Sequence, residues 1–166
     1  VLRALTDPMV LEALRLSLLT ALAATVAIAA IGTPMALLLA TREFAGKRVV
    51  EVLIDLPIVL PPTVAGTALL LAFGRAGLVG SWLAEAGISL PFTTAAVILA
   101  QVFVAAPFYV NAARAGFESV ETRYLEAAAT LHASPAHTFL TVVLPLSLPS
   151  LLAGTAMSAA RALGEF

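Results

Sequence analysis

The sequence contains no cysteine and few charged residues. Only 11% of its 166 residues carry a formal charge, against roughly a quarter in soluble domains. The absence of cysteine fits a helix bundle without disulfides. A net charge of −1 leaves no basic surface for nucleic acid. This composition excludes an ordinary soluble globular domain.

The sequence contains long apolar runs without any charged residue. The chain is 61% hydrophobic, its mean hydropathy is +1.03, and charge-free windows cover residues 16–40, 56–74 and 86–113. A run of about 18 or more apolar residues can cross a bilayer as a helix. These runs lack the polar–apolar alternation of barrel strands. The sequence therefore predicts an all-α membrane protein, a polytopic transmembrane helix bundle.

Four membrane spans are predicted, over residues 14–40, 49–73, 92–113 and from 144 to 166, the last still running at Phe166. Pro34 predicts a kink in the first span, and Trp82, in the glycine-bearing loop 74–91, is typical of an interfacial anchor. The small-xxx-small pairs Gly154–Ser158 and Ala112–Gly116 indicate close helix packing. Because the chain begins with Val1 and ends inside an apolar segment, we expect residues 1–166 to form one transmembrane domain of a longer protein.

The second span carries three prolines, at positions 57, 61 and 62. Together they remove three amide donors, and such backbone is tolerated at membrane depth only where protein or a wet cavity covers it. Two interpretations remain open. The segment is an ordinary kinked helix, or it is a bend that lines a transport path.

Residues 114–141 are too long for a simple turn and too regular for a flexible linker. An alanine-rich run of good helix formers ends before Ser134, which can cap a helix that Pro135 begins. The sequence predicts two short helices that meet at a bend. This segment and loop 41–48 lie on the same side of the membrane, and that side carries more basic residues than the other. The positive-inside rule therefore places both in the cytoplasm.

The stretch EAAATLHASPAHTFLTVVLP (126–145) resembles the EAA loop of ATP-binding-cassette importer permeases. That motif is Glu-Ala-Ala, three residues, Gly, nine residues and then Ile-x-Leu-Pro. Glu126, Ala127, Ala128, Leu144 and Pro145 match it at the same spacing, with Val142 in place of Ile. The glycine position is His132. If that position requires positive φ, histidine is strained there, although less than a β-branched residue.

The resemblance implies the type I importer permease fold, with residues 116–143 as a cytoplasmic coupling loop seated on a separate ATPase dimer. It also implies a second permease chain in a homodimer, an extracytoplasmic oxyanion-binding protein, and insertion in the lipid bilayer of a bacterial or archaeal plasma membrane. The chain itself would bind no cofactor or metal and carry no catalytic residue. ATP and Mg would belong to the ATPase partner.

Two further segments resemble one branch of this family. The stretches LPIVLPPTVAGTALLLAFGRAGLVG (56–80) and SAARALGEF (158–166) are similar to those of molybdate and tungstate permeases. Sulfate and thiosulfate permeases share the proline-bearing segment and the Ala-Leu-Gly-Glu-Phe ending. The resemblance implies transport of a tetrahedral oxyanion, with molybdate favoured and sulfate as the alternative.

Arg161 and Glu165 lie four residues apart on one face of the last span. A charge at mid-bilayer costs about 2.5–3.5 kcal/mol on insertion scales, so such groups pair or face water. One interpretation is mutual neutralisation. The other is that Arg161 and Glu165, with Pro61 and Pro62, belong to the translocation path.

Other classes of function fit the sequence less well. The two histidines, His132 and His137, are five residues apart, which is the wrong helical spacing for a shared metal. No glycine-rich phosphate loop with lysine is present, so the chain alone would not hydrolyse ATP. A proton-coupled secondary transporter or channel is the alternative from another class, and a pure packing subunit is a third.

Overall fold

The computed structural model describes residues 8–75, 77–87 and 89–164, and the regular structure in these ranges is entirely helical. The helices are α1 (Pro8–Thr41), α2 (Lys47–Val59), α3 (Pro62–Phe73), α4 (Gly80–Glu85), α5 (Thr94–Glu118), α6 (Thr122–Thr130), α7 (Pro135–Thr138) and α8 (Leu144–Leu163), with a π-helical turn (Phe139–Val143) before α8. Three helical stretches, Pro8–Thr41, Thr94–Glu118 and Pro135–Leu163, are long and apolar enough to cross a membrane. The prediction of an all-α membrane bundle is confirmed.

The core of the bundle is the antiparallel pair α5–α8. Ser147 Oγ donates to the Gly116 carbonyl at 3.0 Å, Ser158 Oγ donates to the Ala105 carbonyl at 3.1 Å, and Gln101 Nε2 donates to the Ala162 carbonyl at 3.3 Å. Each of these contacts couples an early position of one helix to a late position of the other. Small residues and side-chain-to-backbone hydrogen bonds replace the hydrophobic effect as the attraction between helices in lipid.

Helix α1 packs on α5 in the parallel sense. Thr33 Oγ1 and the Tyr109 hydroxyl lie 2.6 Å apart, and a Cβ added to Gly32 would lie 2.9 Å from the Tyr109 ring. Farther along both helices, Leu37 and Thr41 of α1 line the same groove as Phe117 of α5. The carboxyl ends of α1 and α5 therefore meet at one end of the bundle.

The second predicted span consists of two helices. Helix α2 ends at Val59, and α3 begins at Pro62, because Leu60 and Pro61 have extended backbone with ψ of 131° and 142°. Asp55 contacts Asn111, whereas Gly66 faces the same cavity as Ala100. Helix α2 thus lies beside the carboxyl-terminal half of α5, and α3 lies beside its amino-terminal half. The break between them is therefore level with the middle of α5. The interpretation of this segment as one kinked helix is wrong, because prolines at two successive positions remove two successive ladder hydrogen bonds.

The bounds of other elements also differ from the prediction. Helix α1 begins at Pro8, six residues before the predicted start of the first span, and includes Pro34. The loop 74–91 contains the short helix α4, in which Trp82 is exposed. The last predicted span ends at Leu163 with Gly164 as its cap, and the expectation for Glu165 and Phe166 lies outside the described residues.

Candidate functional site

The connector, residues 119–143, joins α5 to α8 and carries most of the residues singled out in the sequence. Its first helix, α6, contains Glu126, Ala127 and Ala128. Ala128 is buried, whereas Glu126 and Ala127 are exposed. Among the described residues no ion pair involves the Glu126 carboxylate. The helix therefore seats one alanine on its own bundle and presents a free carboxylate and a small residue to the outside.

His132 ends α6 in the left-handed conformation, with φ of 56°. The His132 amide bonds to the Ala129 carbonyl at 3.0 Å, and the Ala133 amide bonds to the Ala128 carbonyl at 3.1 Å. These two bonds are the pattern of a Schellman motif, in which glycine is the usual residue. The glycine position of the motif does require positive φ, and histidine adopts it here. His132 therefore forms a bend at the position where the motif has glycine.

The second half of the connector begins with a capped helix. Ser134 Oγ accepts a hydrogen bond from the His137 amide at 3.2 Å, and Pro135 is the first residue of α7. The predicted cap is confirmed. It satisfies an amide that otherwise has no partner inside so short a helix.

A π-helical turn, which the sequence analysis missed, joins α7 to α8. The Leu144 amide bonds to the Phe139 carbonyl, five residues back. The next residue, Pro145, has no amide hydrogen, and in an α-helix its ring would collide with the carbonyl of Thr141. A wider turn ahead of the proline avoids that collision. The Leu-Pro end of the motif therefore marks the point where the connector enters the membrane helix.

Contacts with the ends of α1 and α5 hold the connector on the bundle. The rings of Phe117 and Phe139 lie 6.2 Å apart between centroids and are tilted by 52°, which is a favourable aromatic geometry. A groove between the connector and the bundle has a volume of about 460 Å³, and Leu37, Leu125 and Ala129 are among its lining residues. The connector is thus packed against two membrane helices.

The loop 41–48 lies at the same end as the connector, because Thr41 and Arg42 line that groove as well. Lys47 Nζ lies 2.7 Å from Glu43 Oε1, and this hydrogen-bonded ion pair lowers the pKa of the Glu43 carboxyl. The two segments that the charge bias places on one side of the membrane are therefore neighbours.

The break between α2 and α3 leaves backbone groups without helical partners. In a continuous helix the carbonyls of Pro57 and Ile58 would accept from the amides of residues 61 and 62, and both of those residues are proline. Pro57 is buried, whereas Pro61 and Pro62 are exposed. Carbonyls without a helical amide partner at the depth of mid-α5 require water or another polar partner.

Arg161 lies in the last turn of α8, half-buried. Its neighbour Ala162 accepts the hydrogen bond from Gln101 at the end of the bundle opposite the connector. Glu165 lies outside the described residues, so the structure does not describe the predicted Arg161–Glu165 pair. In the described part of the chain, no group of three or more metal-ligating side chains is present.

The structure adds a polar cluster that the sequence analysis did not identify. Arg114 bonds to Glu118 and to Glu51, and Asn111 bonds to Asp55. The spacing of four residues signals the Arg114–Glu118 pair. No local pattern signals the pairs between α2 and α5, because they depend on tertiary packing.

Membrane-length helices, a seam of small residues and a bent two-helix connector at one end define a multi-pass helical membrane protein. The model of the family described as "Binding-protein-dependent transport system inner membrane component" matches residues 32–166. The chain belongs to this family.

Named relatives agree with this assignment. The molybdenum transport system permease protein ModB of Mycobacterium tuberculosis is 47% identical over 162 residues, 98% of this chain and 61% of that protein. The molybdate/tungstate transport system permease protein WtpB of Pyrococcus abyssi is 40% identical over 159 residues, 96% of this chain and 59% of that protein. The sulfate transport system permease protein CysT of Escherichia coli is 38% identical over 162 residues, 98% of this chain and 58% of that protein. The chain spans about three fifths of the length of these relatives.

Proposed function

We propose that the chain is the permease subunit of an ATP-driven importer for a tetrahedral oxyanion, with molybdate or tungstate as the substrate. ATP and Mg are bound by a separate dimeric ATPase in the cytoplasm. Two permease chains form the membrane path, and an extracytoplasmic binding protein delivers the ion. The complex lies in the plasma membrane of a bacterium or archaeon.

The observation that carries this proposal is the connector. Its bend at His132 keeps the residue spacing of the coupling motif and leaves Glu126 and Ala127 on the outer face of α6. Leu131, at the bend, is 81% exposed. An exposed apolar residue beside a free carboxylate suits docking into a protein groove. In this proposal residues 116–143 form the coupling loop, and the groove belongs to the ATPase.

The connector also has the mechanical properties that coupling requires. It is tied to the bundle at both ends, through α5 on one side and through Pro145 and α8 on the other. The Phe117–Phe139 contact brings those two ends together. A displacement of α6 by the partner is therefore passed to two membrane helices at once.

The break between α2 and α3 is the proposed lining of the path. The carbonyls that lose their helical partners at Pro61 and Pro62 favour water at mid-depth, and an oxyanion needs a hydrated route rather than an apolar one. We also place Arg161 and Glu165 along this path. In this proposal the arginine contributes positive potential without binding the ion tightly.

The choice of ion rests on the substrates for which the relatives are named. Relatives that name molybdenum, molybdate or tungstate reach 47% and 40% identity, and a relative that names sulfate reaches 38%. All three ions are tetrahedral dianions of similar charge distribution, and we assign the discrimination among them to the binding protein. Sulfate is the second candidate because a sulfate permease is nearly as similar.

The test is uptake in liposomes that contain the full-length permease, its ATPase partner and the binding protein. We expect molybdate uptake that requires hydrolysable ATP and loaded binding protein, and that excess tungstate suppresses. Suppression by sulfate alone would select the second candidate. Uptake driven by a proton gradient without nucleotide would overturn the proposal in favour of a secondary transporter.

A further inference from the structure

Arg114 joins two different helices through one side chain. Its Nη1 lies 2.7 Å from Glu51 Oε1 on α2, and its Nε lies 2.7 Å from Glu118 Oε1 on α5. The side chains of Arg114 and Glu51 are 27% and 25% exposed, so this pair is shielded from water more than a free surface pair. A guanidinium holds two carboxylates in fixed geometry because its N–H groups form a rigid fork.

A second polar contact repeats this connection one turn away. Asn111 Nδ2 donates to Asp55 Oδ1 at 2.7 Å. Residues 111 and 114 are three apart on α5, and residues 51 and 55 are four apart on α2, so each pair lies on one helix face. Helix α2 is therefore fastened to α5 at two successive levels.

The position of Arg114 relates these contacts to the connector. Glu118 is the last residue of α5, and α6 begins at Thr122. On the other side, α2 leads to the break at Leu60 and Pro61. Arg114 thus stands between the connector and the proline-broken segment.

The charges around Arg114 do not allow a simple replacement. Glu51 and Glu118 share this one guanidinium. Of the other cations beside it, Lys47 is bonded to Glu43 at 2.7 Å, and Arg48 lines the same pocket without an ion pair among the described residues. Without Arg114, Glu51 and Glu118 would lose the cation that they share, and neighbouring carboxylates repel each other.

We propose that Arg114 is a positioning residue that makes α2 move together with the connector when the ATPase partner displaces it. The Arg114–Glu51 pair transmits the displacement from the end of α5 to α2 and so to the break that lines the path. This inference rests on the proposed function, and it adds a link between the connector and the path that the coupling motif does not contain.

The experiment measures oxyanion imported per ATP hydrolysed by the reconstituted full-length complex. We expect Arg114→Gln and Glu51→Gln to keep ATP hydrolysis within about twofold of the wild type while this ratio falls by about 2- to 30-fold, the range for residues that couple two sites. Arg114→Lys keeps the charge without the fork, and we expect it to restore part of the ratio. In the double variant Arg114→Gln/Glu51→Gln the ratio should be no lower than in Arg114→Gln, because both substitutions break the same Arg114–Glu51 bond.

Glu43→Gln is the matched control. It removes an ion pair of the same 2.7 Å length at the same end of the bundle, but its partner Lys47 is only four residues away in the chain, so no link between α2 and α5 is lost and the ratio should stay near the wild-type value. Equal loss in Glu43→Gln, an unchanged ratio in Glu51→Gln, or a proportional fall of uptake and hydrolysis would each overturn the inference. If Arg114→Gln fails to assemble, Glu51→Gln decides, since it breaks the inter-helix bond and keeps the arginine. Nucleotide-independent uptake by the wild type would instead refute the proposed function, which separates the two failures.

Discussion

Ser147 on α8 donates its hydroxyl to the carbonyl of Gly116 on α5 at 3.0 Å. The two backbones are so close here that a Cβ added to Gly116 would lie 2.6 Å from the Cβ of Ser150. In lipid, such proximity supplies the dispersion and hydrogen-bond contacts that hold helices together. Gly116 is also near the end of α5, so this crossing fixes the start of the connector.

We expect Gly116→Val to lower the stability of the bundle by about 1–3 kcal/mol, because the added carbons force α5 and α8 apart. Gly66→Ala is the control, since a Cβ added at Gly66 meets no heavy atom within 4 Å. Thermal unfolding in detergent, followed by circular dichroism, measures both. Equal melting temperatures for the two variants would show that the crossing does not depend on the missing side chain.

At the other end of the seam between α5 and α8, we expect a replacement of Gln101 to raise the stability of the bundle. Gln101 is 1% exposed, and its Oε1 has no hydrogen-bond partner among the described residues. An unsatisfied buried acceptor costs about 1–3 kcal/mol, more than the single bond from Nε2 returns. We expect Gln101→Met to raise the stability by about 1 kcal/mol in the same unfolding assay.

Ser158→Ala provides the comparison for Gln101, because it removes a satisfied hydrogen bond from the same seam. Such bonds between membrane helices average about 0.6 kcal/mol, so this variant should be slightly less stable than the wild type. A loss of stability in Gln101→Met as large as in Ser158→Ala would mean that the glutamine has a polar partner in the assembled protein.

His132 allows the bend of the connector to be tested by two replacements. We expect His132→Gly to stabilise α6 by up to about 1 kcal/mol, because glycine adopts positive φ without strain. His132→Val should destabilise it by about 1–2 kcal/mol, since a β-branched residue is an outlier there. Hydrogen exchange of the α6 amides measures the difference, and identical exchange in both variants would contradict a left-handed residue at this position.

Glu126→Lys tests the docking surface of the connector. Because Glu126 is exposed and has no ion pair among the described residues, we expect the isolated permease to unfold at the wild-type temperature. We also expect ATP-dependent uptake to fall at least tenfold, as the reversed charge disrupts docking of the ATPase. Glu85→Lys makes the same change on α4, at the opposite end of the bundle, and should leave uptake nearly intact.

Much of this fold follows from local sequence. The charge-free windows predict α1 and α5, and the apolar segment from residue 144 predicts α8, because hydrophobic length alone specifies a span. Ser134 and Pro135 predict the start of α7, since capping acts over three residues. Small residues such as Gly116 and Ser158 correctly indicate a packing seam.

Other features depend on contacts that local sequence does not reveal. The bond between Arg114 and Glu51 requires α2 to lie against α5, and residues 51 and 114 are far apart in the chain. The full break at Leu60 and the π turn before Pro145 are backbone responses to proline, and several responses are open to the chain at such a residue. The roles of Glu126 and Arg161 remain proposals.

The π turn at Phe139–Val143 sets the angular phase of the whole of α8. A π turn holds one residue more than the α-helical turn it replaces, and one residue corresponds to about 100° of rotation. Deleting a single residue from this turn would therefore swing Ser147, Gly154 and Ser158 away from α5 and turn bulkier neighbours towards it. The length of this five-residue segment, more than its side chains, decides which stripe of α8 meets its partner helix.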